Sequence, residues 1–155
     1  VSALLSCRSL AKSARHGCLA TLARERTGWP FATLVALAFD DQVRPLVCIS
    51  ALAEHTKNLR ASPHASLLVT GAVDGGDPLG SGRMTLLGPC TPVPDDEVAA
   101  ARSTFLRAHP EAAGYVTFKD FAMWAMQPQD VWWVGGFGRM EWVRPEELAE
   151  TASDA

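Results

Sequence analysis

Apolar and polar positions along this chain change period several times, and each change marks an element. Residues 3–15 place Leu4, Cys7, Ala11 and Ala14 at three- and four-residue spacing, with Arg8, Lys12 and Arg15 mostly opposite, which predicts a first helix ended by Gly17. The period then shortens. Residues 18–25 predict a strand, 27–30 a turn, and 31–39 (FATLVALAF) a strand that sets Phe31, Thr33, Val35, Leu37 and Phe39 against Ala32, Leu34, Ala36 and Ala38. Because both faces are apolar, that strand needs cover on both sides. Residues 46–50, 64–73, 82–88, 121–126, 131–137 and 139–143 read as further strands.

Three helical segments interrupt or follow the strands. One runs from Ser50 to Leu59, with Leu52, Thr56 or His55, and Leu59 toward the core. Another is capped by Asp95, carries Val98, Ala101, Phe105 and Ala108 on one face, and is stopped by Pro110. The third is a terminal turn over 145–150 opened by Pro145. Short strands grouped by hairpins, with a few helices between them, predict a mainly β fold with peripheral helices (α+β), a small barrel forming one domain over residues 1–155. In such a barrel the two-faced strand fills the interior with one side and packs on a partner subunit with the other.

Composition narrows the classes. The 155 residues are 48% hydrophobic and 20% charged, with net charge −3 and scattered Lys and Arg, so nucleic acid is not an expected partner. The run at 31–39 is far short of the ~20 apolar residues a membrane helix needs. Arg8, Lys12 and Arg15 fall where a signal peptide keeps its apolar region, which makes a cytoplasmic location the expectation. Cys7, Cys18, Cys48 and Cys90 lack CxxC spacing and read as buried thiols. The four histidines form no HxxxH or HxH pair, so no metal centre is expected. The glycines of DGGDPLGSG do not match GxGxxG and precede a strand, so they read as a hairpin connection.

The stretch LVCISALAEHTKNL concentrates Ser50, His55, Lys57 and Asn58 at a strand-to-helix junction. Helix N-terminal amides are unsatisfied donors with partial positive charge, so these side chains suit an anion pocket. Two readings stand there: ligands, or a Ser50 cap beside a solvated face. Arg83 is either an inward-facing barrel arginine that needs an acceptor or a residue at a strand end in water. Of five tryptophans, four follow residue 120; Trp132 and Trp133 are adjacent and must point to opposite faces.

The segments GCLAT, PFATLVALAF, PLVCISALAEHTKNLRASPHASLLV, DPLGSGRMTLLG and FKDFAMWAMQPQDVWWVGGFGRM, in that order, resemble the pyridoxamine 5'-phosphate oxidase-like flavin-binding split barrels, in particular their haem-utilisation branch. The resemblance implies a split β-barrel homodimer that holds FMN between subunits and acts as an oxidoreductase. By position it implies cofactor contacts from Ala32, Thr33, Ile49, Ser50, His55, Lys57, Asn58 and Arg83. It identifies no catalytic residue. Glu54 stands where such oxidases carry a basic residue, and their substrate-side Arg and His pattern is absent, so pyridoxamine phosphate oxidation itself is not expected. Haem is the alternative ligand that the branch implies, its relatives using a histidine in a C-terminal extension; the residues after Val143 contain none. A cofactor-free dimeric scaffold is the third reading.

Overall fold

A computed structural model describes residues 1–73 and 75–149. Its elements, in chain order, are α1 (Ala3–Ser13), β1 (His16–Leu22), β2 (Pro30–Ala36), β3 (Ala38–Phe39), β4 (Pro45–Ser50), α2 (Glu54–Ala61), β5 (His64–Thr70), β6 (Arg83–Pro92), α3 (Val98–Ala108), β7 (Phe121–Met126), β8 (Asp130–Val134), β9 (Met140–Val143) and α4 (Pro145–Ala149). Every pairing is antiparallel, in the order β2-β1-β5-β6-β7-β4-β3, with β8 branching from β6 and carrying β9. The sheet curls into a split barrel with helices at its periphery, the mainly β class expected.

β6 makes the fork. Arg83–Leu87 pairs with β8, whereas Cys90–Pro92 pairs with β7. The bend lies at Gly88, where a Cβ would sit 2.1 Å from the Gln127 carbonyl oxygen in the β7–β8 turn. The predicted strand over 82–88 is therefore longer than expected and serves both branches.

The predicted strand over 31–39 is broken at Leu37. β2 pairs with β1, β3 pairs with β4, and Leu37 lies between them. Its N–H donates to Arg15 O at 3.0 Å and its carbonyl lies 2.8 Å from His109 Nε2, so backbone groups lost from the ladder are satisfied by the ends of α1 and α3.

Alternation decides the two sheet faces. Val35, Leu19, Leu67, Met84, Leu86, Val131 and Trp133 point inward, where they pack with Cys7, Leu10 and Ala11 of α1. A second cluster, centred on fully buried Phe105, lies between α3 and the β4–β7 pair, and the Phe105 ring meets His109 at 4.7 Å. α1 ends at Ser13, before the predicted Gly17, because the extended backbone of Ala14 feeds β1 directly. Asp95 does not cap α3; Asp95–Glu97 is a 3-10 turn that leads into it. Pro110 does follow the helix, but it opens a further turn over Pro110–Gly114. Of the predicted terminal turn, Glu150 lies outside the described residues.

Candidate functional site

The residues singled out from sequence fall on two surfaces. The first is the junction of β4, α2 and β2. β4 ends at Ser50, and α2 begins after Ala53, its N-cap, which offers no side-chain bond to the free amides. Ser50 is thus not the cap: its Oγ accepts the Leu52 N–H at 3.1 Å and donates to Asp120 Oδ2 at 2.8 Å. The Ala53 N–H closes a turn onto Ser50 O, which puts Leu52 at its tip and leaves it 75% exposed, not in the core as expected.

Within α2, Thr56 and Leu59 face the interior. His55 is half-buried, with Nδ1 3.0 Å from Thr33 Oγ1 and Nε2 buried without a hydrogen-bond partner. Burial lowers its pKa below the ordinary imidazole value, so the neutral ring is favoured. Asn58 is fully buried: Nδ2 donates to Thr21 Oγ1 and Oδ1 accepts the Arg24 N–H, both at 3.0 Å. This amide ties α2 to β1. Lys57 is half-buried, and its ammonium has no hydrogen bond or ion pair among the described residues. Two carboxylates flank the helix start, Asp120 on Ser50 and Glu54 paired with Arg24 at 3.4 Å. They compete with any anion for the positive end of α2. Ile49 is buried and paired with Ala122.

The second surface is the outer sheet face. Ladder register lines up Leu34, Cys18, Leu68, Thr85, Trp132 and Trp142 across β2, β1, β5, β6, β8 and β9. Leu34 is 75% and Trp142 61% exposed, and the two tryptophan rings of this row meet at 5.0 Å. Trp133, by contrast, is buried inside, as adjacency on a strand requires. A parallel row carries Ala36, His16 and Arg83, and the opposite one carries Ala32, Ala20, Ser66 and Leu87. Arg83 therefore faces outward rather than into the barrel, and its Nη1 donates to Leu79 O at 3.0 Å and Ser81 O at 3.3 Å. His64 borders a cavity of about 360 Å³ on this face with Ala20, Ser66 and Leu87.

Not all candidates come together. Ala32 and Thr33 point to opposite faces of β2. Arg83 and Thr33 lie on strands three pairings apart, about 14 Å across the sheet at ~4.8 Å per strand. The partners Thr21, Arg24 and Asp120 carried no local signal, because 37, 34 and 70 residues separate them from the groups they bind. The outward placement of His16 was hidden by an expected helix end at Gly17.

Residues 3–150 match the family described as CREG, beta-barrel. The chain belongs to this family. As a CREG-type barrel it is 38% identical over 120 residues to the chloroplastic non-canonical heme oxygenase HOZ of Arabidopsis thaliana, a match covering 77% of this chain and 36% of HOZ. It superposes on a heme binding protein from Mycobacterium smegmatis with TM-score 0.89 and 39% identity, over 96% of this chain and 60% of that one. HutZ, the heme storage protein from Vibrio cholerae, gives TM-score 0.69 and 19% identity over 80% of this chain and 89% of its own, which bears on the fold alone. This CREG-type barrel thus spans about a third of HOZ and 60% of the mycobacterial protein. Among the described residues no helix is long and apolar enough to cross a membrane.

The outer face combines the apolar Leu34, Leu68, Trp132 and Trp142 with Arg83 and with exposed His16 and His64. Neither histidine side chain has a hydrogen bond or ion pair among the described residues. The His109 ring is engaged, its Nε2 lying 2.8 Å from Leu37 O and its Nδ1 3.3 Å from Glu111.

Proposed function

We propose that this chain is a haem-binding split barrel that holds the macrocycle on its outer sheet face, in a cleft completed by a second copy of the chain. The apolar row from Leu34 to Trp142, bordered by Arg83 and His16, carries the reading. The similarity to HOZ and to the mycobacterial heme binding protein, each above 35% identity, supports it. Bound haem would supply iron-centred redox and oxygen chemistry. The chain's own residues would bury the apolar ring edge, present the Arg83 guanidinium to a carboxylate, and offer the imidazole of His16 or His64 to the iron. A second copy would cover the face that Leu34 and Trp142 leave open, in keeping with a homodimer.

The test is a visible absorption titration with hemin on the intact chain and on His16→Ala and His64→Ala. A Soret band saturating at a fixed stoichiometry, with its position or intensity changed in one variant, is expected. Absence of saturable uptake refutes the reading. If neither variant alters the spectrum, the histidine assignment is wrong. Light scattering at the same concentrations tests the dimer, which Leu34→Glu should dissociate.

FMN is the second reading, favoured by the buried, unpartnered Nε2 of His55 beside free Lys57 at the start of α2. In that case the chain is a flavin-dependent oxidoreductase. Thr33, Ile49, Ser50 and Asn58 would then form or brace the wall near His55 and Lys57, Ala32 would line the outer face of β2, and Arg83 would come from the partner subunit. A parallel FMN titration decides: no flavin spectrum and no saturable binding eliminates it.

A further inference from the structure

Apart from the residues of both surfaces, α1, α3 and the turn after β3 line a groove of about 510 Å³. Its floor is Ala11, Ala38, Phe39 and Ala108, and its walls carry Arg8, Lys12, Arg15 and Arg107. The volume lies in the range of small-molecule sites, which combine an apolar lining with a few convergent polar groups. The charge here runs against the chain as a whole, which is net negative. Four cations face two carboxylates, and one of these, Asp40, is already held by Arg44 Nε at 2.8 Å and by the Gln42 and Arg44 N–H groups. Lys12, Arg15 and Arg107 have no ion pair among the described residues.

The two arginines at the rim are held in place by neutral groups. Arg15 Nη1 donates to Lys12 O at 3.2 Å and Ala14 O at 3.0 Å. Arg107 donates to Ser103 Oγ at 3.3 Å and Thr104 Oγ1 at 3.1 Å. Each guanidinium keeps further N–H donors for an acceptor, in the fork that matches a carboxylate or phosphate. Satisfying the carbonyls at the end of α1 explains why an arginine stands at position 15. It does not explain why Arg107, from a different helix, lines the same groove.

We propose that this groove binds an amphiphilic organic anion, its acidic group on Arg15, Arg107 and Lys12 and its apolar body on Ala11, Ala38, Phe39 and Ala108. The acidic group is a carboxylate or a phosphate ester, which offer the same oxygen pattern to a guanidinium. The inference is independent of the haem reading, since no residue of the groove lies on the outer sheet face.

The experiment is calorimetric titration of the intact chain with octanoate and, separately, with 1-naphthyl phosphate. The comparison variants are Arg15→Gln/Arg107→Gln and, as a charge control, Arg26→Gln, which changes an exposed loop residue. At least one probe should bind saturably at one per chain, weaken about tenfold or more in the double variant, and be unchanged in the control. Binding of octanoate alone assigns a carboxylate ligand, and binding of 1-naphthyl phosphate alone assigns a phosphate ester. Equal affinity in the double variant, or no saturable binding of either probe, overturns the proposal. Unchanged melting temperatures of the variants establish that any loss is local.

Discussion

Replacing Asn58 with alanine separates a structural amide from a cofactor ligand. The side chain is fully buried and bonds Thr21 Oγ1 and the Arg24 N–H, so truncation removes two hydrogen bonds between α2 and β1. Thr21 keeps an outlet for its proton in Phe31 O at 3.4 Å, whereas the partly buried Arg24 N–H has no other acceptor among the described residues. An unmade buried donor costs about 1–3 kcal/mol and an ordinary lost bond about 1 kcal/mol. Together they predict a loss of about 2–4 kcal/mol, a large part of the ~5–15 kcal/mol that holds a domain folded. For a chain of this size the melting temperature should fall by roughly 4–16 °C. Urea unfolding followed by tryptophan fluorescence, at one fixed protomer concentration, should show a lower midpoint with an unchanged slope. A change below about 0.5 kcal/mol, within the usual range for surface substitutions, refutes the structural role. Loss of FMN uptake without loss of stability would assign Asn58 to the ligand instead.

Three further outcomes are expected. The His55 pKa is lowered below 6.5 by burial, so the unfolded chain binds the extra proton first; stability should be full above pH 6.5 and decline as the pH falls toward the folded value, a slope that His55→Gln should flatten in pH-resolved melting curves. Burial raises the Cys7 and Cys90 thiols to about 12 and raises Cys48, so half-buried Cys18 is the site that iodoacetamide should modify first in the haem-free Leu34→Glu chain, whose outer face is uncovered, read by peptide mass mapping. Gly88→Ala should destabilise the fold, because its Cβ would meet the Gln127 carbonyl oxygen at 2.1 Å; wild-type stability in urea would show that the β7–β8 turn yields.

The strands were readable wherever alternation was regular. β1, β5, β6 and β8 each place one apolar side inward, and the polar or small residues between them show it. The break at Leu37 was not readable, since an apolar run carries no mark of a change in pairing partner; the marks are Arg15 and His109, far away in sequence. Similarly, the density of polar residues from Ser50 to Asn58 drew attention to a junction without revealing its division of labour. Ser50 and Asn58 are held by Asp120, Thr21 and Arg24, while His55 Nε2 and the Lys57 ammonium have no protein partner among the described residues. The candidate chemistry on the outer face required the register, because only the ladders bring Leu34, Trp132 and Trp142 into one row.

Leu37 also governs how the molecule comes into being. β2 and β3 are the two ends of the pairing order, yet one residue joins them, so the ring is sealed by the chain itself at a single link. The second fastener of that link, His109, is synthesised 72 residues later, and β7, which holds β4, later still. A nascent chain carrying only β1 to β5 therefore has its link but not its clasp, and its unpaired strand edges remain open to other chains. Chaperone engagement during translation should accordingly persist until residues beyond β8 have left the ribosome.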